Sequence, residues 1–357
     1  MKALIFVNKG LEQAASRESN GKASLLQGTE GVACAAFHSL KDACEYCYQT
    51  QIASSVMLVL SESEDHKGLG VPEWAQGFIP DSLKIKIINK TQVEDLEKDL
   101  GKSLGYPVDL KNPDILLYIH RLDKYYLCLD LSGDLSKRDY RLFNSPMSLK
   151  GTTAFGVLML CGYKQGESLL DPYCNSGTIA IEAALYSSKI PIKRYSKDFP
   201  FMKLDIDIKN KEEIFSKAES MINEEKLDIT AADPLLRNIT AAKKNAKIAG
   251  VGKLIDFRRI DIDWMDIKHE EKAFDHIITF IPGSSKHRDE KRLSKNFSNF
   301  FYQSEYVIKD SGTLAVLCLA KDLLKDSASP YFELKQEKEV YSASQRMFLL
   351  IFRKRMK

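Results

Sequence analysis

The chain has 357 residues, of which 44% are hydrophobic and 28% charged, with a formal net charge of +3. That length exceeds one ordinary hydrophobic core, so two or three domains are expected, and the composition excludes a largely disordered chain. No apolar run approaches the ~18–20 residues of a membrane span, and with residues 1–145 holding 17 Lys and Arg against 20 Asp and Glu and the remainder 35 against 29, any nucleic-acid contact needs a local patch.

The first strand is expected at Lys2–Asn8, its apolar stretch too short for a secretory signal. A helix over Leu11–Ser19, a strand over Gly31–Phe37, a helix over Leu40–Gln51 and a buried strand over Ala53–Leu60 follow, an order that suits a small ferredoxin-like α+β unit. Residues 61–76 are polar, with Gly68, Gly70 and Pro72, and read as a loop. Next come strand Leu83–Ile88, helix Thr91–Leu104, and strands Asp114–His120 and Tyr125–Leu131, the last two spaced as a hairpin.

From about residue 147 the pattern changes. Helix Leu149–Gly162 leads to strand Ser168–Leu170, and a loop over Asp171–Thr178 opens helix Ile179–Ser187. Strand Asp228–Ala232, helix Leu236–Ala249, strands Leu254–Arg259 and Ala273–Phe280, helix Arg288–Lys309 and strand Gly312–Leu319 follow. A closing hairpin pairs Phe332–Tyr341 with Arg346–Phe352. Strands alternating with helices predict an α/β fold with a doubly wound parallel sheet, and the hairpin adds an antiparallel edge.

The seven cysteines (Cys34, Cys44, Cys47, Cys128, Cys161, Cys174 and Cys318) are odd in number and scattered, which points to a reducing cytoplasmic setting. Cys44 and Cys47 form one CxxC, but no second pair or nearby histidine completes a zinc site, and the six histidines show no metal spacing. His276 falls inside a strand and reads as a packed residue.

Chemistry concentrates in the turn after Leu170. In an open α/β sheet ligands bind beyond the carboxyl ends of the strands, where a loop of small residues lets backbone approach them and points helix N–H groups at them. Asn175-Ser176-Gly177-Thr178 supplies the small residues, without the Gly-Lys-Ser/Thr of a P-loop or a GxGxxG. The next strand ends in Asp233, where nucleotide-binding sheets hold ribose hydroxyls, since a carboxylate accepts two hydroxyls at once. The plain alternative is a helix cap. The following strand ends in a second acid, Asp261.

The segment Leu170-Asp171-Pro172-Tyr173-Cys174-Asn175-Ser176-Gly177-Thr178-Ile179-Ala180-Ile181-Glu182-Ala183-Ala184 resembles the first motif, DPxCGSGTxxIEAA, of the S-adenosyl-L-methionine-dependent RNA methyltransferases that carry a THUMP domain. Asp233 with Ala241-Ala242-Lys243-Lys244-Asn245-Ala246-Lys247-Ile248-Ala249-Gly250 resembles the second, an acid and then A-x-x-N-A-x-x-A-G. Leu129–Arg141 resembles the linker pattern LD-x-SG-x-L-x-KRGYR, and Gly10-Leu11-Glu12 an N-terminal G-L-E. The resemblance implies an N-terminal ferredoxin-like domain over 1–62, a THUMP domain and linker over 63–146, and a Rossmann-like seven-stranded methyltransferase domain over 147–357. It implies S-adenosyl-L-methionine as cofactor, tRNA as partner, guanine N2 as acceptor, and direct in-line transfer with no metal. It places Asp171, Pro172, Tyr173, Cys174, Asn175, Ser176, Gly177 and Thr178 at the methionine end of the cofactor, Asp233 at its ribose and Asp261 at its adenine.

Two positions depart from the family pattern. Asn175 replaces a glycine, and asparagine is the residue that best tolerates the left-handed conformation, though its side chain crowds the cofactor. The family's N/D-P-P-Y target motif reads Phe280-Ile281-Pro282-Gly283. Phe280 accepts no hydrogen bond, Ile281 keeps only a carbonyl, and Gly283 does not stack. Losing an orienting partner costs ~10²-fold or more in rate. Two readings stay open: an active methyltransferase in which Phe280 stacks and Ser284, Ser285 or Asp261 assists the amine, and an RNA-binding module without efficient catalysis.

Lys137, Arg138, Arg141 and Lys150, with Tyr140 and Phe143, form a basic and aromatic stretch that suits RNA, or else a solvated linker. Lys286, His287, Arg288, Lys291 and Arg292 form a second basic run, and Arg353, Lys354, Arg355 and Lys357 a charged tail.

Overall fold

The computed structural model describes residues 1–19, 23–25, 29–145, 148–206, 208–281 and 290–355. The front of the chain runs β1 (Lys2–Phe6), α1 (Glu12–Glu18), β2 (Ala23–Leu25), β3 (Val32–Ala36), α2 (Leu40–Gln49) and β4 (Ser55–Ser63). It continues through α3 (Glu73–Gln76), β5 (Ile85–Lys90), α4 (Leu96–Leu104), β6 (Ile115–Arg121) and β7 (Tyr125–Asp130). Their sheet has the order β2-β3-β1-β4-β7-β6-β5. The first four strands form the antiparallel ferredoxin-like arrangement, with the two-helix βαββαβ order. The short strand β2 was not expected from the sequence, because three residues carry too little pattern to register.

The second half runs α5 (Gly151–Leu160), β8 (Leu169–Asp171), α6 (Thr178–Ser187), α7 (Ile208–Ser220), β9 (Ile229–Asp233), α8 (Leu236–Ile248) and β10 (Asp256–Arg259). It ends with α9 (Met265–Lys268), β11 (Phe274–Ile281), α10 (Glu290–Val307), β12 (Ile308–Cys318), α11 (Asp322–Ala328), β13 (Phe332–Ser342) and β14 (Gln345–Lys354). This sheet is also seven-stranded, in the order β10-β9-β8-β11-β12-β14-β13. Neighbours from β10 to β12 are parallel, and β14 pairs antiparallel with both β12 and β13. Strand order reverses between β8 and β11, and a crevice at such a switch point is where α/β sheets bind ligands. Every residue of α5 is buried, as an all-round apolar helix requires.

By contacts the chain divides into two compact units. The first comprises Met1–Val7, Ala15–Lys137 and Pro191–Met221; the second comprises Asn8–Ala14, Arg138–Ile190 and Ile222–Lys357. The sequence-expected boundary at 62/63 falls within β4, which pairs with β7 in one continuous sheet. The stretch Pro191–Met221 departs from the second half and packs into the first unit. There α7 lies against α2, with Tyr48 Oη donating to Glu219 at 2.8 Å and the rings of Tyr48 and Phe215 edge to face at 4.8 Å. Conversely, Gly10 belongs to the second unit, where a Cβ on it would lie 2.2 Å from the carbonyl oxygen of Glu339, so only glycine fits. Cys44 and Cys47 are buried core residues of α2. No described helix is long and apolar enough to cross a membrane.

Candidate functional site

At the switch point β8 ends in Asp171 and β11 in Phe280-Ile281. The loop after β8 is fixed by its own turn and by β9. The Cys174 N–H donates to the carbonyl of Ala232 at 2.9 Å, and the Gly177 N–H to the carbonyl of Cys174 at 2.7 Å. Asn175 has φ +51° and Gly177 φ +84°, two left-handed residues around Ser176. Asn175 thus stands in a left-handed conformation, which asparagine tolerates better than other non-glycine residues. Gly177 is required for a different reason: a Cβ there would lie 2.8 Å from the Ala242 Cβ, so its absence lets α8 approach the loop.

Asp233 is 3% exposed and is already engaged by protein. Its Oδ2 accepts the Asn175 N–H at 3.0 Å, and its Oδ1 accepts the Leu235 N–H at 2.9 Å and the Asn238 Nδ2 at 3.0 Å. A carboxylate offers about four acceptor sites, so one remains. The pair of ribose hydroxyls expected at Asp233 thus meets a carboxylate that already holds three protein donors. The capping alternative is not realised: Leu235 holds the N-cap position of α8, no side chain caps the helix, and Asp233 closes the turn ahead of it. Asp261 is exposed; its carbonyl accepts the Trp264 N–H at 3.0 Å, while its carboxylate accepts no hydrogen bond from the described residues. Both acids lie near the Tyr173 phenol, which burial pushes up, followed by the charges of Asp261, Asp233 and Asp263.

Asp171 is fully enclosed, and its Oδ1 accepts a 2.7 Å hydrogen bond from Thr279 Oγ1 across the switch point. Burial raises its pKa to about 7 against the lowering effect of that bond. Phe280 and Ile281 are both 7% exposed. Ile281 packs into the core of the sheet, while the Phe280 side chain lines the cleft with Asp171, Cys174, Asn175 and Ser148. Pro282 and Gly283, like Ser284 and Ser285, lie outside the described residues. The cleft itself is nearly closed, about 10 Å³, which is the space of one water molecule. In chemistry the residues fit a nucleoside-bearing cofactor: two acids on successive strand ends, a small-residue turn and the start of α6.

The basic stretch is divided by the fold. Lys137 is exposed. Arg138, expected at RNA, is 5% exposed and makes a bidentate pair with the wholly buried Glu182, Nε to Oε1 at 2.8 Å and Nη2 to Oε2 at 3.2 Å. Tyr140, the expected stacking partner, is also buried and donates to Glu182 Oε1 at 2.7 Å. Both are corrected to internal roles: a lone carboxylate in the apolar helix α6 needs a buried cation. Arg141 is half-buried and donates to the Ser148 carbonyl at 3.4 Å, and Lys150 is half-buried just ahead of α5. Lys286, His287 and Arg288 lie outside the described residues, and Lys291 is exposed. His276 is packed, its Nε2 2.8 Å from Glu167.

Two residues with no expected role shape the site. Asn245, 0% exposed, clamps the backbone of Phe143 from both sides (N–H to Oδ1 at 3.0 Å, Nδ2 to carbonyl at 3.1 Å) and also donates to the Ser176 carbonyl at 3.0 Å. Ser145 Oγ donates to Asn175 Oδ1 at 2.8 Å, so segment 141–145 is tied to the loop. The available signal for Asn245 was an amide set on the otherwise apolar face of α8 formed by Ile239, Ala242 and Ala246.

The Rossmann-like sheet, the switch-point loop and the acids on the next two strand ends define a domain of the methyltransferase class. Residues 138–346 match the family described as UPF0020, the RMKL-like methyltransferase domain, and the chain belongs to that family. Among curated relatives, the chain is 30% identical over 259 residues to the tRNA (guanine(6)-N2)-methyltransferase of Methanocaldococcus jannaschii, covering 71% of this chain and 66% of that protein. It is 27% identical over 235 residues to the enzyme of the same name from Archaeoglobus fulgidus, covering 65% of this chain and 55% of that one. These matches thus span just under two thirds, or less, of the relatives' length. The crystal structure of SMU.472 complexed with SAH shares the fold, with a TM-score of 0.80 at 17% identity over 100% of this chain and 98% of that one.

Proposed function

We propose that this protein is an S-adenosyl-L-methionine-dependent tRNA methyltransferase that transfers a methyl group to guanine N2. The observation that carries the reading is the built turn at the switch point: Asn175 and Gly177 left-handed, Asp233 bonded to the Asn175 N–H, and Asp261 uncommitted on the next strand end. The guanine-N2 acceptor and the tRNA substrate are supported by the names of the two archaeal relatives.

S-adenosyl-L-methionine supplies an electrophilic methyl group on a sulfonium centre. In this reading Asp233 offers its remaining acceptor site to a ribose hydroxyl and Asp261 its free carboxylate to the adenine amine. The loop from Asp171 to Thr178 and the start of α6 receive the methionine end. The Ile281 carbonyl orients the guanine amine, and the Phe280 ring walls the reaction off from water. Catalysis rests on positioning and electrostatics, without a metal or a covalent enzyme intermediate. The front of the chain, residues 1–146, supplies the ferredoxin-like and THUMP parts that hold tRNA, with Lys137, Arg141 and Lys150 as contacts, and the protein works in the cytoplasm.

A second reading, a tRNA-binding module without efficient turnover, is favoured by one observation: Phe280 brings an apolar ring where the family has a hydrogen-bond acceptor. Incubating unmodified tRNA with methyl-labelled S-adenosyl-L-methionine, followed by nucleoside mass spectrometry, separates the two. Labelled N2-methylguanosine is expected. Cofactor and tRNA binding without any labelled nucleoside would establish the second reading instead.

A further inference from the structure

Helix α8 carries Arg237, Lys243, Lys244 and Lys247 and no carboxylate. All four cations are exposed, while Ile239, Ala242, Asn245 and Ala246 face the core. None of the four is ion-paired to a described residue. Elsewhere on the surface lysines pair readily, as in Lys41–Glu213, Lys217–Glu45, Lys272–Asp310 and Lys325–Glu337. An uncompensated cationic face of this kind is a site for a polyanion.

An aromatic from segment 141–145 is held beside this helix. Phe143 is 40% exposed and its neighbour Leu142 is 70% exposed. Flexibility does not account for this exposure, because Asn245 holds the Phe143 backbone at both its N–H and its carbonyl. The Lys244 ammonium sits 4.7 Å from the ring centroid. Through Asn245 the ring is also fixed relative to Ser176 in the candidate cofactor loop.

We propose that the outer face of α8 and the Phe143 ring form an RNA-contacting surface, the cations holding phosphates and the ring receiving an unpaired base. This deepens the tRNA methyltransferase reading and rests on it for the choice of RNA. Cations that track a backbone beside a rigid aromatic are the two elements of single-strand recognition. An anionic membrane fits less well, because Ile239, Ala242 and Ala246 of α8 face the core and the exposed Leu236 and Ile248 stand at opposite ends of the helix, so they form no continuous face to insert.

The test measures binding of fluorescently labelled, unfractionated tRNA to the full chain across a salt series, with S-adenosyl-L-methionine calorimetry as the control for an intact site. For Lys243→Gln/Lys247→Gln, affinity should fall about tenfold, and the log–log salt slope should become shallower by about two. Phe143→Ala should cost about tenfold and Phe143→Tyr should restore binding. A wild-type chain that methylates tRNA, while all these variants bind it with unchanged affinity and slope, overturns this inference alone. Weakened variants of a wild type that binds tRNA but never methylates it support this inference and overturn the enzyme reading. A wild type that binds no tRNA overturns both. Phosphatidylserine vesicles binding more tightly than tRNA, with the same variants weakened, would make the surface a membrane face and overturn the inference.

Discussion

The ends of β8 and β11 face the same cleft and are built in opposite ways. The β8 end is polar and fully connected: Asp171 to Thr279, Asn175 to Asp233, and Asp233 onward to Leu235 and Asn238. The β11 end is apolar: Ile281 packs into the core and Phe280 presents a ring with no acceptor. On the proposed cofactor side the buried acids Asp171 and Asp233 are met by protein donors, as a buried polar network requires if it is not to cost stability. In the reading proposed above, the β11 end faces the target base with an apolar ring in place of an acceptor.

The strongest way to break the comparison is to remove what supports the β8 end. Glu182→Ala strands the buried Arg138 guanidinium and the Tyr140 hydroxyl beside α6, and a loss of about 3–5 kcal/mol in urea unfolding is expected. A loss below 1 kcal/mol would show that the Arg138–Glu182 pair is not what secures α6.

Next in size is a pH effect on the same strand end. Burial raises Asp171 from 3.8 to about 7, so between those values the folded chain holds a proton that the unfolded chain has released. The stability contribution of this group is therefore full below about pH 4 and is lost as pH rises through about 7. Unfolding measured from pH 4 to 8 should show wild type losing stability relative to Asp171→Asn. Parallel curves would mean that Asp171 ionises freely in the fold.

A smaller effect sharpens the contrast from the β11 side. Phe280→Asn restores a side-chain acceptor, and single-turnover methyl transfer to tRNA is expected to rise about tenfold. An unchanged or lower rate in a folded variant would show that the apolar strand end is not the limiting feature.

The sequence made the second half legible because its parallel strands and apolar helices α5 and α6 are long, continuous signals. The loop was legible because left-handed turns restrict residue choice, and Asn175 at φ +51° conforms. Helix α7 was missed: no element was expected between Ser187 and Asp228, and its docking in the other unit depends on distant partners such as Tyr48. Arg138 and Tyr140 read as RNA contacts because a basic, aromatic stretch looks the same in a linker as in a core. Only the third member, Glu182, 44 residues from Arg138, decides the matter. The engagement of Asp233 by three protein donors was likewise invisible, since two of them come from a turn and a side chain whose positions follow from the fold.

The claim that the β8 end is a working cofactor site is tested most directly by calorimetric titration of S-adenosyl-L-methionine into wild type and Asp233→Ala. One-to-one binding by wild type and at least tenfold weaker binding by the variant are expected, since the substitution removes both the remaining acceptor and the anchor of Asn175. No binding by the folded wild type, or equal affinity in the variant, would contradict the account.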